Sequence, residues 1–197
     1  MRAGTRRETV AGPAGRIECA VDEPAGTPRG VALIAHPHPL FGGTLDNKVV
    51  QTLARAFVDL GYAAWRPNFR GVGESEGRHD EGRGEVEDLA AVLAHAKAVK
   101  PVLAGFSFGA AMQAQLGARV QAERMVLVGV AVTNFEVPAV ARGTLVIHGE
   151  MDETIPLKAV LDWARPQELP VLVMPGADHF FHRKLPALRL AVTANWK

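Results

Sequence analysis

The sequence predicts an α/β protein built as a three-layer sandwich: a mostly parallel sheet with helices on both faces. Three observations carry this. Short apolar runs without alternation recur along the chain, as strands buried on both faces require. Stretches with helical spacing of apolar residues separate them. Neither an internal repeat nor a long linker divides the sequence, so residues 1–197 read as one domain.

The elements follow in order. Glu8–Ala11 and Arg16–Cys19, flanking Gly12-Pro13-Ala14-Gly15, read as an edge hairpin. Val31–Ala35 is a buried-strand signal that ends in the loop His36-Pro37-His38-Pro39-Leu40-Phe41-Gly42-Gly43. Val50, Leu53, Ala54, Phe57 and Leu60 share one helical face, and Gly61 supplies the stop. Tyr62–Arg66 reads as the next strand, followed by the Gly-rich loop Asn68–Gly73. Val86, Leu89, Ala90, Leu93 and Ala96 mark a second amphipathic helix. Val102–Ala104, Met125–Val132, Leu145–Ile147 and Val171–Met174 are strand-like, and Phe108–Leu116, Leu157–Ala164 and Leu185–Asn195 are helical. In an open parallel sheet a ligand site lies at the carboxyl ends of the strands, so the loops after the apolar runs matter most.

Composition excludes several classes. With 22 Lys+Arg against 21 Asp+Glu the net charge is +1, which gives no reason to expect nucleic acid or an anionic membrane as partner. A hydrophobic share of 48% in 197 residues supports a buried core and excludes dominant disorder. The single cysteine, Cys19, excludes an internal disulfide and fits a reducing compartment. The arginines at the start (Arg2, Arg6, Arg7) precede no apolar run, so they read as a solvated tail rather than a signal peptide. No apolar stretch approaches the roughly 18 residues of a membrane span, and the expected location is the cytoplasm.

Two segments match G-x-S-x-G: Gly105-Phe106-Ser107-Phe108-Gly109 and Gly73-Glu74-Ser75-Glu76-Gly77. The pattern has mechanical meaning only as a sharp turn between a strand and a helix, which exposes the serine. Ser107 follows a strand signal and precedes a good helix former. Ser75 stands between two glutamates in a polar loop, where like charge opposes an alkoxide. Ser107 is therefore the candidate nucleophile. A serine needs a base, and the base needs an orienting acid. His179, just after the last strand signal, is the candidate base, with His182 a turn further on. Asp152, in the loop after Leu145–Ile147, is the candidate acid, with Glu150 behind it; Asp178 is too close to His179 in sequence to orient its ring.

The elbow at Ser107, the Gly149-x-x-Asp152 loop and the Gly176-x-Asp178-His179 loop resemble the α/β-hydrolase superfamily. So do His36-Pro37-His38-Pro39 after the first strong strand and Phe69-Arg70-Gly71-Val72-Gly73-Glu74-Ser75 after the next. The resemblance runs from about Val31 to the end, and implies that Ser75 is a structural loop serine. It implies an oxyanion hole with one donor from the Phe108 N–H and a second from the loop after His36. Proline has no N–H, which leaves His38 or Leu40 or a residue just beyond, with His38 preferred by position. Only Thr133–Thr144 separate the strand signals where many relatives insert a lid, so an open site is expected. Leu40, Phe41, Phe106, Phe108, Phe135 and Phe180 are its expected walls, with Phe41, Phe106, Phe135 and Phe180 as substrate-binding residues. The topology is similar to that of dienelactone hydrolases, with serine in place of their cysteine.

The resemblance thus implies a small, lidless serine esterase acting on a small-molecule acyl substrate. Amide hydrolysis, acyl transfer and a non-catalytic binding role are the alternatives. No cofactor is expected, since Gly71-Val72-Gly73 lacks the third glycine of a dinucleotide site. No metal is expected either, because no cysteine joins the pairs His36/His38 and His179/His182. The sequence leaves monomer and homodimer equally open.

Overall fold

The computed structural model describes residues 4–196. Arg2 lies outside the described residues. The chain begins with an antiparallel hairpin, β1 (Thr5–Gly12) and β2 (Gly15–Asp22), and β2 pairs antiparallel with β4 (Ala63–Pro67). From β4 onward every pairing is parallel, through β3 (Val31–Ala35), β5 (Val102–Phe106), β6 (Arg124–Val128), β7 (Leu145–Gly149) and β8 (Val171–Met174). The sheet order is β1-β2-β4-β3-β5-β6-β7-β8, so β3 and β5 are central.

Among the described residues, five α-helices cover the sheet. On one face α1 (Lys48–Asp59) and α5 (Leu185–Ala194) pack over a core that includes Ile34, Phe57, Phe106, Phe181 and Leu188. On the other, α2 (Arg83–His95), α3 (Phe108–Gly117) and α4 (Leu157–Ala164) pack over Leu33, Leu89, Phe108, Met112 and Val160. Because both faces are covered, the central strands are apolar without alternation, and β5 is buried at every position. The apolar stripe of α1 meets the sheet through Val49, Val50, Leu53, Ala54 and Phe57, and Asn47 caps the helix by accepting from the Val49 N–H at 2.9 Å.

Several boundaries differ from the sequence expectation, and the departures at Tyr62, Val128 and Arg6–Arg7 have a direct physical cause. Tyr62 precedes β4, because its N–H closes the end of α1 on the Phe57 carbonyl at 2.9 Å. The apolar run Met125–Val132 is strand only to Val128. Gly129 then takes a φ of +53°, and the Ala131 N–H turns back to the Ser107 carbonyl at 3.4 Å. Arg6 and Arg7 are not a solvated tail. They lie in β1, where Arg7 pairs with Glu18 at 3.0 Å and the Arg6 guanidinium stands 5.3 Å from the Trp65 ring. Residues 129–144, between β6 and β7, contain neither helix nor strand, and among the described residues no lid covers the carboxyl edge of the sheet. Among the described residues no helix is long and apolar enough to cross a membrane.

Candidate active site

Ser107 sits at the turn from β5 into α3 with φ +56° and ψ −116°, a conformation disfavoured for any residue with a Cβ. Its neighbours allow this turn. A Cβ on Gly105 would run into the Gly109 carbonyl, and one on Gly109 into the Ala35 carbonyl, so both must be glycine. The Ser107 N–H donates to the Val128 carbonyl at 2.9 Å, which anchors the turn to β6. The strain lifts the serine side chain above the sheet edge.

The loops after β7 and β8 bring the partners. His179 Nε2 lies 3.1 Å from Ser107 Oγ, and His179 Nδ1 lies 2.7 Å from Asp152 Oδ2. The other carboxylate oxygen, Asp152 Oδ1, accepts from the N–H groups of Thr154 at 3.0 Å and Ile155 at 2.8 Å. All three side chains are buried, and the carboxylate is held from both ends. With Nδ1 facing a carboxylate, that nitrogen carries the proton, and Nε2 presents its lone pair to the serine hydroxyl. The remaining candidates are occupied elsewhere. Glu150 Oε2 accepts from the Gly176 N–H at 2.8 Å, and Asp178 binds His182, which lies in the turn ahead of α5. Ser75 Oγ donates to the Asn68 carbonyl at 2.8 Å and accepts from the Glu18 N–H at 2.9 Å, stitching its loop to β2.

The loop after β3 faces the start of α3. A single 3-10 turn, Pro39–Phe41, follows His38, and its backbone donors are largely spent. The Leu40 N–H goes to His38 Nδ1 at 3.2 Å, and the N–H groups of Phe41 and Gly43 go to the His38 carbonyl. Leu40, one of the two expected second donors, is therefore engaged in closing its own turn. Among the described residues, the N–H groups of His38 and Phe108 have no protein acceptor. The Phe108 N–H is also at the positive end of the α3 dipole.

An open cleft of about 860 Å³ borders this loop, walled by His38, Leu40, Phe41, His79, Phe135 and Pro138. It begins beside Phe108, whose ring is 5.0 Å from the His38 ring and 4.9 Å from that of Phe135. Phe41 is 86% exposed at its rim. Three expected wall residues, Phe106, Phe180 and Phe108, do not line it. Phe106 is fully buried because β5 has neighbours on both sides; its ring supports His179 from below at 4.9 Å. Phe180 is half exposed against the other side of His179, at 5.1 Å. Phe108 is likewise buried, as packing beneath the cleft. A second cavity of about 810 Å³ lies away from Ser107, where Arg66 and Arg189 are already paired with Asp22 and Asp59.

Three residues escape a reading of the sequence. His148, inside the apolar run of β7, is fully buried; its Nε2 lies 2.9 Å from the Ile155 carbonyl and 3.5 Å from Asp152 Oδ2. Burial lowers its pKa, so the ring stays neutral behind the aspartate. His79 and Glu85 form the second group. Glu85 is fully buried and accepts from the N–H groups of Asp80 and Gly82, each at 2.9 Å, while His79 Nδ1 stands 2.9 Å from Glu85 Oε1 but out of line for a hydrogen bond. The bidentate Arg70–Asp88 pair, at 2.7 and 2.8 Å, clamps the loop after β4 onto α2 and fixes their place. His79 is one polar residue in a polar loop, so no periodicity marks it.

A parallel sheet of this order, a strained serine at the end of its central strand and an uncovered carboxyl edge define a lidless α/β protein of hydrolase architecture. The comparisons agree. A serine hydrolase without a lid from Xanthomonas campestris superposes with a TM-score of 0.91 at 35% identity, over 97% of this chain and 93% of that one. A serine hydrolase homologue from Coxiella burnetii gives 0.88 at 38% identity, over 98% and 97%. An uncharacterised Rickettsia prowazekii protein, RP471, is 32% identical over 92% of this chain and 84% of its own length. No family model matches the chain. The chain belongs to the α/β-hydrolase superfamily.

Proposed function

We propose that the chain hydrolyses carboxylic esters or thioesters of small to medium acyl groups through an acyl-serine on Ser107. The observation that carries this reading is the continuous hydrogen-bonded chain from Asp152 through His179 to Ser107, at 2.7 and 3.1 Å. In the reaction, Ser107 Oγ attacks the acyl carbon as its proton passes to His179 Nε2. Asp152 holds the ring in the required tautomer and stabilises the imidazolium that forms. The oxyanion is taken by the Phe108 N–H and the His38 N–H, which have no other acceptor among the described residues. His179 then returns the proton to the leaving oxygen or sulfur. Water, activated by the same ring, releases the acid and restores Ser107.

The uncovered site favours water as the acyl acceptor over a second substrate, which supports hydrolysis rather than acyl transfer. A near-neutral charge and a lone buried cysteine support a cytoplasmic enzyme acting on a small molecule. Hydrolysis of p-nitrophenyl esters from acetate to long acyl chains tests the reading. The expected result is turnover that peaks at short or medium chains. A folded protein that hydrolyses no ester or thioester at any chain length overturns it.

A further inference from the structure

Ser107 does not itself line the cleft, which approaches the elbow through the packing of His38 and Phe135 on Phe108, and the cleft is not uniformly apolar. Two imidazoles, His38 and His79, stand in its wall with ring centroids 4.9 Å apart, set among Leu40, Phe41 and Phe135. We propose that these two rings form a hydroxyl-recognition site, so that the preferred substrates are esters whose acyl group carries a hydroxyl. This deepens, and rests on, the reading of Ser107 as an ester-cleaving nucleophile.

The side of the site decides which part of the substrate reaches them. His179 gives the proton to the leaving atom, and it stands against Phe106 and Phe180. The cleft opens on the opposite flank, where His38 and Phe135 pack on Phe108 beside the two free N–H groups. With the oxyanion held between those flanks, the leaving group lies toward His179 and the acyl substituent extends into the cleft.

The tautomers decide the chemistry. His38 Nδ1 accepts from the Leu40 N–H at 3.2 Å, so a neutral ring carries its proton on Nε2 and is a donor there. Burial lowers the pKa of His38, which favours the neutral ring. His79 Nδ1 stands 2.9 Å from the buried Glu85 carboxylate, out of line for a hydrogen bond, but a lone pair there would face the negative charge; with the proton on Nδ1 instead, Nε2 is an acceptor. Among the described residues neither Nε2 has a hydrogen-bond partner in the protein, and neither is among the buried unpartnered atoms. One donor and one acceptor side by side fit a group that accepts and donates through a single atom, which is a hydroxyl. A carboxylate would set its charge near Glu81 and Glu136, where the one lining cation, Arg83, is already paired with Asp80 and Glu81, and would oppose the His79 lone pair. A metal ion would lack ligands, since among the described residues no three His, Cys, Asp or Glu are grouped to hold one.

Sites that hydrogen-bond a substrate hydroxyl discriminate strongly against analogues that lack it. For this open, half-buried pair the expected preference is about ten- to a hundredfold in kcat/KM. The test pairs each hydroxyl with its methyl isostere: p-nitrophenyl 3-hydroxybutyrate against 3-methylbutyrate, and 4-hydroxybenzoate against 4-methylbenzoate. Each rate is divided by that of hydroxide alone. The expected result is a preference for at least one hydroxyl ester, expressed mainly in KM, that falls to within about twofold of unity in His79→Leu. His79→Asn, a smaller polar replacement, serves if the leucine variant does not fold. Equal rates within both pairs overturn the hydroxyl site and leave ester hydrolysis standing, as does a preference that survives both variants. Failure to hydrolyse any of the four esters overturns both.

Discussion

The Phe69 N–H donates to His36 Nε2 at 3.0 Å, joining two loops that lie 33 residues apart in sequence. The other nitrogen, Nδ1, is 2.6 Å from the Pro37 carbonyl, so both ring positions are used by backbone and the imidazole must be neutral. This ring holds the loop that carries His38 against the loop after β4. It is a structural histidine, although by sequence it belongs to an H-x-H pair.

That arrangement predicts a pH dependence of stability. Burial pushes the His36 pKa from its ordinary 6.5 down to about 4. The unfolded chain therefore binds a proton below pH 6.5 that the folded chain refuses until about pH 4. Stability is complete above 6.5 and is lost as pH falls through this window. The expected loss from His36 is about 2 kcal/mol between pH 8 and pH 5. Urea unfolding of the native chain and His36→Gln at both pH values measures it. Parallel losses in the two proteins would contradict the assignment.

The strain at Ser107 predicts that two nucleophile-deleting variants differ in stability. Ser107→Ala keeps a Cβ at φ +56°, whereas Ser107→Gly removes it. The glycine variant is expected to be more stable than the alanine variant by about 1 kcal/mol, after its larger unfolded-state entropy. Thermal or urea unfolding reads the difference directly.

Asp152→Asn keeps an oxygen for the Thr154 and Ile155 N–H groups and so should fold. The amide can donate to His179 Nδ1, which favours the wrong tautomer and turns the Nε2 proton toward Ser107. A fall in kcat of about 10³- to 10⁴-fold is expected, with little change in thermal midpoint. A loss of tenfold or less would remove Asp152 from its role.

The second oxyanion donor can be tested by subtraction. His38 has φ −53°, which proline adopts, so His38→Pro deletes the N–H without forcing that angle. His38→Ala removes the same ring but retains the N–H. The proline variant is expected to be about 10²- to 10³-fold slower in kcat than the alanine variant. Equal rates would place the donor elsewhere in the loop.

Much of this was legible in the sequence, for identifiable reasons. Val31–Ala35 and Leu145–Ile147 are strands with both faces covered, and such strands announce themselves by uninterrupted apolar runs. Ser107, Asp152 and His179 each follow one such run, and the fold brings them into hydrogen-bond contact. What failed were statements about side-chain environment. Phe106 reads as a wall because it adjoins Ser107, yet β5 is enclosed on both sides and buries it. The run to Val132 reads as strand because its residues are apolar, and backbone bonding to the elbow ends it at Val128. His79 and Glu85 meet through a loop clamped by Arg70 and Asp88, a tertiary pairing with no local signature.

The most direct test of the account is covalent. The protein is treated with a fluorophosphonate, which traps an activated serine, and intact mass and peptide mapping locate the adduct. The account predicts one adduct per chain, on Ser107, absent from Ser107→Ala and strongly slowed in His179→Ala. An unlabelled native protein, or an adduct on any other residue, would contradict it.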